Sequence, residues 1–558
     1  MWYRRHVMAS VRENSRKIGI PPGGRDMNRT VSGMCVWCLC AVLTAHDAAG
    51  QVWTHLVSFQ SSSNYIRKIA ADSSGAFFIG GYAFDSLMLD TMNITPSTVF
   101  TSNGRTDCFI MKTAKDCKPQ ILHRFGGPGN DLINDMVITD KQHFVVTGRF
   151  QETMTIGDST LIAPVTEAFF IAELSDDSTP VWCSATNAFC GFCVDEAANG
   201  DILVAGQYRE EAAIVPGQIL AGTGDNDLFY ARYDATGKPL WAIGAGGKFN
   251  DHTPMIGSGR HSGEFYVAGV FFDTLFFDGT ADTIVSASDR EQSFVYRLDG
   301  AGAVLWKKTL ASDDYAICHS ITVDSLGYLY VVGRYAGTFT IDTMSVVSGN
   351  EHSMFVARIA PDGTPLWIRS VDLAIGYHIG ISNGSEVMIT GTYQREVAFG
   401  AWSFRAKDIE DIFVVGYSLD GECTWVLDGG CCRTAMCTAA ATNSRREFLA
   451  AGSVDGVLVG RFCNINFSGL SEDFDNESLG RTFLAAFDPH GDVVSRPQPS
   501  AVRQVTAAAK NCTVRYYDLY GRDVTGMMNS NERLNLSGGI RMLVRDIQGQ
   551  RSMVTLVR

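Results

Sequence analysis

Tyr328-Leu-Tyr-Val-Val-Gly-Arg-Tyr335 is a run of β-branched and aromatic residues that suits a pleated strand and fits a helix poorly. Its surroundings repeat the theme. Upstream, Leu305-Trp306 opens a strand ending in the turn Ala311-Ser-Asp-Asp-Tyr315, and Ile317-Cys-His-Ser-Ile-Thr-Val323 follows, closed by Asp324-Ser-Leu-Gly327. Downstream, Met354-Phe-Val-Ala-Arg-Ile359 is turned by Pro361-Asp-Gly-Thr-Pro-Leu into Trp367. Short β-rich runs separated by Asp, Asn and Gly turns predict antiparallel hairpins, and no window carries a sustained helical period. Such a unit supplies about four strands, a lone sheet that cannot bury both of its faces.

The unit recurs along the chain. A Phe inside a short apolar strand appears at Phe109, Phe169, Phe229, Phe294, Phe355, Phe413 and Phe483. A Gly ending an apolar run appears at Gly81, Gly148, Gly206, Gly269, Gly333, Gly391 and Gly452. A Trp opens the unit at Trp53, Trp182, Trp241, Trp306, Trp367 and Trp425, with Leu122 in its place in the second copy. Three independent columns define seven copies of about 60 residues. Sheets of this kind close in a ring, each covering its neighbour's face. A β-helix repeats over shorter rungs, and about 60 residues is small for a separate sandwich. The expectation is an all-β fold, a seven-bladed β-propeller of four-stranded repeats over residues 51–494. Trp and Phe would pack between blades, and Gly would mark close backbone approach or a strand bend. The strand around Trp53 is expected to complete the sheet that holds Phe483.

Some copies carry more specific elements. The second has Phe125-Gly-Gly-Pro-Gly-Asn-Asp131, the fourth keeps Gly246-Gly-Lys-Phe-Asn-Asp251, and the third has Asn226-Asp-Leu-Phe-Tyr-Ala-Arg-Tyr-Asp-Ala-Thr-Gly237. With the Leu-Trp opening and Asp-x-x-Gly before Tyr-Val-Val-Gly333-Arg-Tyr, these resemble the bacterial seven-bladed propeller repeats known as SBBP repeats. The resemblance spans roughly residues 51–494 and implies the same propeller.

Composition bounds the partners. The chain has 558 residues, 46% apolar and 19% charged, with a net charge of −14. That acidity repels nucleic acid phosphates, so no nucleic-acid partner is expected. Met27-Asn28-Arg29 leads into the 13-residue apolar run Val31–Leu43 and the small-residue exit Ala48-Ala49-Gly50. This is the layout of a secretory signal, with Met27 as the expected start and cleavage near Gly50/Gln51. The run is too short for a membrane span, so no transmembrane anchor is expected in the mature chain. Residues 1–50 are thus an N-terminal extension and signal peptide. Twelve of the fifteen cysteines fall after it, including Cys183 and the Cys190-Gly-Phe-Cys193 spacing, and Cys423, Cys431, Cys432 and Cys437. Without a matching His set they read as disulfides or buried thiols rather than a zinc site.

After the repeats, residues 495–500 (Ser495-Arg-Pro-Gln-Pro-Ser500) form a linker and residues 501–558 a small β module. Within it stand Asp518-Leu-Tyr-Gly-Arg-Asp-Val524 and Leu536-Ser-Gly-Gly-Ile540. The module resembles the type A C-terminal sorting domain of the type IX secretion system of Bacteroidota. It departs from that pattern in its opening, reduced to Arg496-Pro-Gln-Pro499, and at Arg541, where an aromatic often follows the glycine. The resemblance implies passage through the periplasm to the cell surface or medium, with the type IX machinery as partner.

No catalytic constellation stands out. Asp107, Glu167, Asp227 and Asp411 share the position two before the Phe column, which suits a turn or strand end better than an asymmetric acid pair. Asp131, Asp251 and Asp313 recur in the turn after the Trp strand. They are the candidate calcium ligands, since Ca²⁺ takes loop carboxylates, although Asp also suits such turns unaided. His252, His319 and His352 read as loop or strand residues. There is no nucleophile elbow, phosphate loop or paired-His motif. No other cofactor is expected. Two readings follow: an exported binding or scaffold propeller that contacts an extracellular protein or glycan, and a propeller hydrolase or lyase acting on polysaccharide.

Overall fold

The computed structural model describes residues 52–455 apart from 61–63, 92–93, 114–119, 177–178, 260–262, 279–282, 287, 383, 407–408, 430–433 and 445–446, together with 481–488, 514–517, 542–547 and 550–555. The signal layout, the linker, Cys431, Cys432 and the sorting motifs lie outside the described residues.

The body is an all-β propeller. Its innermost strands, one from each copy, are Asn64–Ala71, Leu132–Ile138, Cys190–Glu196, His252–Ser258, Ala316–Val323, Ala374–Ser382 and Thr434–Thr442. Each neighbours the next around an axis, and the last neighbours the first. From each, three further strands extend outward, all antiparallel. In the fifth copy the order is Ala316–Val323, Leu329–Tyr335, Ser353–Ile359 and Pro365–Asp372. In this copy the Trp-bearing strand is the outermost of its sheet, paired with the Phe strand before it, whereas the Trp strands Pro239–Gly246 and Val304–Ser312 also pair onward with a short strand of the next copy.

Counted as hydrogen-bonded sheets, the propeller has six blades rather than the seven expected from the columns. The difference has a local cause. In the first copy the second and third strands, Phe77–Thr91 and Ile94–Thr113, run on as one long hairpin. Its extension pairs Met88–Asp90 with Ser58–Gln60 of the strand Val52–Gln60. That strand also completes the last sheet by pairing with Arg481–Asp488, so that Val57 faces Leu484 and Ser58 faces Phe483. Two four-stranded sets are thereby fused into one eight-stranded sheet. In the second to sixth copies the same connection breaks into a separate short hairpin, for example Thr153–Ile156 with Ser159–Ile162.

The core lies between neighbouring sheets. Tyr330, Val332, Met354 and Val356 of the fifth copy pack with Ile379, Ile389, Tyr393, Phe413 and Val415 of the sixth. Ile66, Ile79, Phe109 and Met111 of the first pack with Ala439, Leu449 and Ala451 of the last. The tryptophans lock this stacking at the rim. Trp306 donates from Nε1 to the Pro361 carbonyl at 2.8 Å and Trp367 to the Leu419 carbonyl at 2.9 Å, each in the turn of the next sheet. Those turns need glycine. Gly237 has φ +82°, and a β-carbon there would lie 2.3 Å from the Trp182 ring.

The phenylalanine column holds with one correction. Gly81 faces Phe109, Gly206 Phe229, Gly269 Phe294, Gly333 Phe355, Gly391 Phe413 and Gly452 Phe483. In the second copy Gly148 faces Phe170, not Phe169, which is paired with Arg149. Glu167 therefore leaves the acidic column: it precedes the strand and binds Arg149 at 3.0 Å.

Residues beyond Gly491 form a second unit. Its described strands, Val514–Tyr517, Met542–Ile547 and Gln550–Thr555, make a three-stranded antiparallel sheet.

Candidate functional site in the central channel

The Gly column and the channel share one cause. Each innermost strand carries a β-bulge opposite its column glycine: between Ile66 and Lys68, Ile133 and Asp135, Gly191 and Cys193, His252 and Met255, Cys318 and Ser320, Gly376 and His378, and Cys437 and Ala439. At most of these bulges the inner strand's carbonyl comes so close that a side chain on the partner has no room. A β-carbon on Gly148 would sit 1.8 Å from the Leu132 oxygen, and one on Gly391 1.9 Å from the Ile375 oxygen. A bulge bends its strand and re-aims its side chains. Here the re-aimed residues line one cavity on the axis, about 700 Å³ in volume.

The lining residues sit at a fixed distance from the column. Fourteen positions before each glycine stand Arg67, Asn134, Phe192, Met255, His319, Tyr377 and Thr438, and all line the cavity. The next residue adds Lys68, Asp135, Cys193, Ser320 and His378. Unlike the glycines, these residues have no common chemistry.

One cluster is ionic. Lys68 Nζ lies 3.0 Å from Asp135 Oδ1. Asp135 also accepts from the Met136 and Val194 amides, each at 2.9 Å, and so ties the second copy to the third. Burial works against the Lys68 charge, but Asp135, Cys193 and Asp195 together outweigh it and hold Lys68 above the ordinary lysine range. Two residues deeper than Cys193, Asp195 accepts from Glu196 N at 2.9 Å, Ser258 N at 2.7 Å and Ser258 Oγ at 2.9 Å. Burial pushes the Asp195 carboxyl up against these bonds. Asp135 and Asp195 are thus engaged by protein donors, as is the third lining carboxylate, Asp324, which accepts from the Tyr328 amide at 2.9 Å.

The other cluster is made of neutral rings. His319 Nδ1 bonds the Gly376 carbonyl at 2.8 Å, and its ring stacks on Tyr377 at 5.3 Å and 19°. Burial lowers its pKa to about 4. His378 is lowered to about 3 by burial, reinforced by the Lys68 charge, and its Nδ1 has no hydrogen-bond partner among the described residues. Both imidazoles are neutral at pH 7. The Cys193 thiol points to the Ile256 carbonyl at 3.4 Å and is raised by burial, then by Asp135.

The calcium candidates fall on three separate turns. Asp131 and Asp251 are buried and equivalent: each accepts from the second glycine of its Gly-Gly element, Gly127 N at 2.6 Å and Gly247 N at 2.7 Å. Burial pushes both carboxyls to about 7, with Asp107 beside the first and Asp227 beside the second adding to the effect. Asp313 is exposed, accepts from Thr338 N at 2.6 Å and is lowered by that bond. Among the described residues no group of three or more His, Cys, Asp or Glu is placed to hold a metal ion.

His252 pairs with Glu291 at 2.9 Å, and burial lowers His352. Cys108, Cys183, Cys190, Cys193, Cys318, Cys423 and Cys437 are free thiols. The bulge separates Cys190 from Cys193, which pair with different residues of the next strand, Gln207 and Ala205.

No family model matches this chain. It is similar to an uncharacterized WD repeat-containing protein, L264, of Acanthamoeba polyphaga mimivirus, 23% identical over 371 residues. The match covers 55% of this chain and 27% of that relative, so the chain spans about a quarter of the relative's length. Among solved structures, the Dos1 propeller aligns with a TM-score of 0.39 and 9% identity, over 79% of this chain and 96% of that one. The phage phi92 endosialidase aligns with a TM-score of 0.31 and 11% identity, over 91% and 77%. The assignment to the β-propellers rests on the sheet topology.

Proposed function

We propose that this chain is an exported binding propeller whose ligand occupies the central channel. One observation carries the reading: bulges that recur around the ring direct unlike, polar and aromatic side chains into one cavity. Conserved geometry with divergent chemistry is the arrangement a ligand site needs, whereas a purely structural axis is filled by repeated small or apolar residues. On the same reading the eight-stranded sheet counts as two blades, which makes the propeller seven-bladed and of the SBBP type. Residues 501–558 act as the sorting domain that hands the protein to the type IX machinery, after a signal peptide near residue 50 is removed.

Two experiments test this. The mature chain and its Thr438→Trp variant, which fills the channel from the last copy, are applied to a glycan array and to a panel of small sugars. Binding by the parent that Thr438→Trp abolishes is expected; binding untouched by the variant would move the site to the loops. Deleting residues 501–558 in a host with type IX secretion is expected to trap the protein in the periplasm. Unchanged surface delivery would refute the sorting role.

A further inference from the structure

The cavity has a cation without a counter-ion on one side and an unused ring nitrogen on another. From these we infer that the channel takes a small hydroxylated carboxylate, the chemical class of a uronic acid. The inference rests on the channel being the ligand site and names what that site selects.

Arg67 supplies the first argument. It is the exposed residue at the bulge of the first copy, it lines the cavity, and it makes no ion pair among the described residues. Four other arginines of the propeller are ion-paired, Arg149 with Glu167, Arg232 with Asp201, Arg297 with Glu264 and Arg358 with Asp324. A guanidinium is a planar fork matched to two carboxylate oxygens, so an uncommitted one beside a cavity is an anion receptor. The channel acids do not occupy it. Asp135 is held by Lys68 and two amides, and Asp195 lies deeper against Ser258.

The rings supply the second. The bond from His319 Nδ1 to the Gly376 carbonyl fixes the proton on Nδ1, which leaves Nε2 as an acceptor. An acceptor of this kind takes a hydroxyl donor. The stacked His319–Tyr377 pair and Phe192 offer flat faces for the C–H side of a sugar ring. A pyranose carrying a carboxylate meets the three demands together, and about 700 Å³ falls in the size range of small-molecule sites.

The test is calorimetry on the full mature chain with D-glucuronate, D-glucose and acetate. Glucuronate is expected to bind about tenfold or more tightly than glucose, because glucose leaves Arg67 unpaired. Arg67→Gln should reduce glucuronate to the level of glucose, with Arg67→Lys between the two. His319→Phe should weaken both sugars alike, and far-UV circular dichroism and melting should show each variant folded. Equal binding of glucose and glucuronate, or an Arg67→Gln variant that still prefers glucuronate, overturns the carboxylate. Acetate binding as tightly as glucuronate overturns the hydroxyl contacts. If neither sugar binds, the inference fails, while the array with Thr438→Trp still decides separately whether the channel is a ligand site.

Discussion

Each column glycine and the residue fourteen positions before it lie on adjacent strands near one bulge, yet the two behave in opposite ways. The glycine is the same in every copy because in most copies an inner-strand carbonyl occupies the space its side chain would need. The residue across from it is Arg67, Asn134, Phe192, Met255, His319, Tyr377 or Thr438, and its side chain borders the cavity, with Asn134 also bonding the Gly191 carbonyl and His319 the Gly376 carbonyl. Packing tolerates no variation at the first position. At the second, packing leaves the residue type open, and the chemistry there is available to a ligand.

The largest effect that would break this contrast is a bulky residue in the column. Gly148→Val places a β-carbon 1.8 Å from the Leu132 oxygen and is expected to cost more than about 4 kcal/mol or to prevent folding, whereas Asn134→Ala across from it should cost about 1 kcal/mol. Urea unfolding compares the two, and similar midpoints would erase the distinction.

Within the channel, Lys68→Met strands the Asp135 carboxylate. We expect a loss of about 1–3 kcal/mol, moderated because 28% of the Lys68 side chain stays accessible, and recovery when Asp135→Asn is added. A double variant no more stable than Lys68→Met would show that the pair is not coupled.

A smaller effect concerns pH. Asp131 and Asp251 are raised from 3.8 to about 7 in the folded chain. Their contribution is full below about pH 4 and is lost as pH rises through 7, because the unfolded carboxyls release their protons first. The channel histidines work the other way. Their pKa values are lowered on folding, so their contribution is lost as pH falls from about 6.5 toward 4. Melting temperatures of the parent and the Asp131→Asn/Asp251→Asn variant should therefore diverge between pH 4 and 7, with the variant gaining relative to the parent as pH rises. Parallel profiles would place these carboxyls in an ordinary range. Smallest of all, Ile162→Ser, at a position 73% exposed on a peripheral hairpin, should change stability by less than about 0.5 kcal/mol.

What could be read from the sequence follows the same division. Repetition exposed the shell: the Gly column, the Trp strands and the pairing of Trp53's strand with that of Phe483 all obey a shared packing rule. Phe169 and Phe170 are adjacent aromatics that fit the column spacing equally well, and Glu167 matches the acidic position only if Phe169 is taken. The sheet count was not legible, since nothing in residues 77–113 marks the hairpin that runs on to meet Ser58–Gln60. The channel residues were hidden for a different reason. Positions whose common property is location share no residue type, and His319 has the sequence context of an ordinary strand residue. Its signal was the constant spacing to Gly333.

The pairing of Val52–Gln60 with Arg481–Asp488 also governs how the ring comes into being. Val57 and Leu484 meet across more than four hundred residues of chain, so the contact that shuts the circle has a very high contact order. During synthesis the first segment emerges with its partner still unmade, and the growing arc carries an unpaired strand edge at each end. Closure is then the slow, late step, and after it neither edge is available to another molecule.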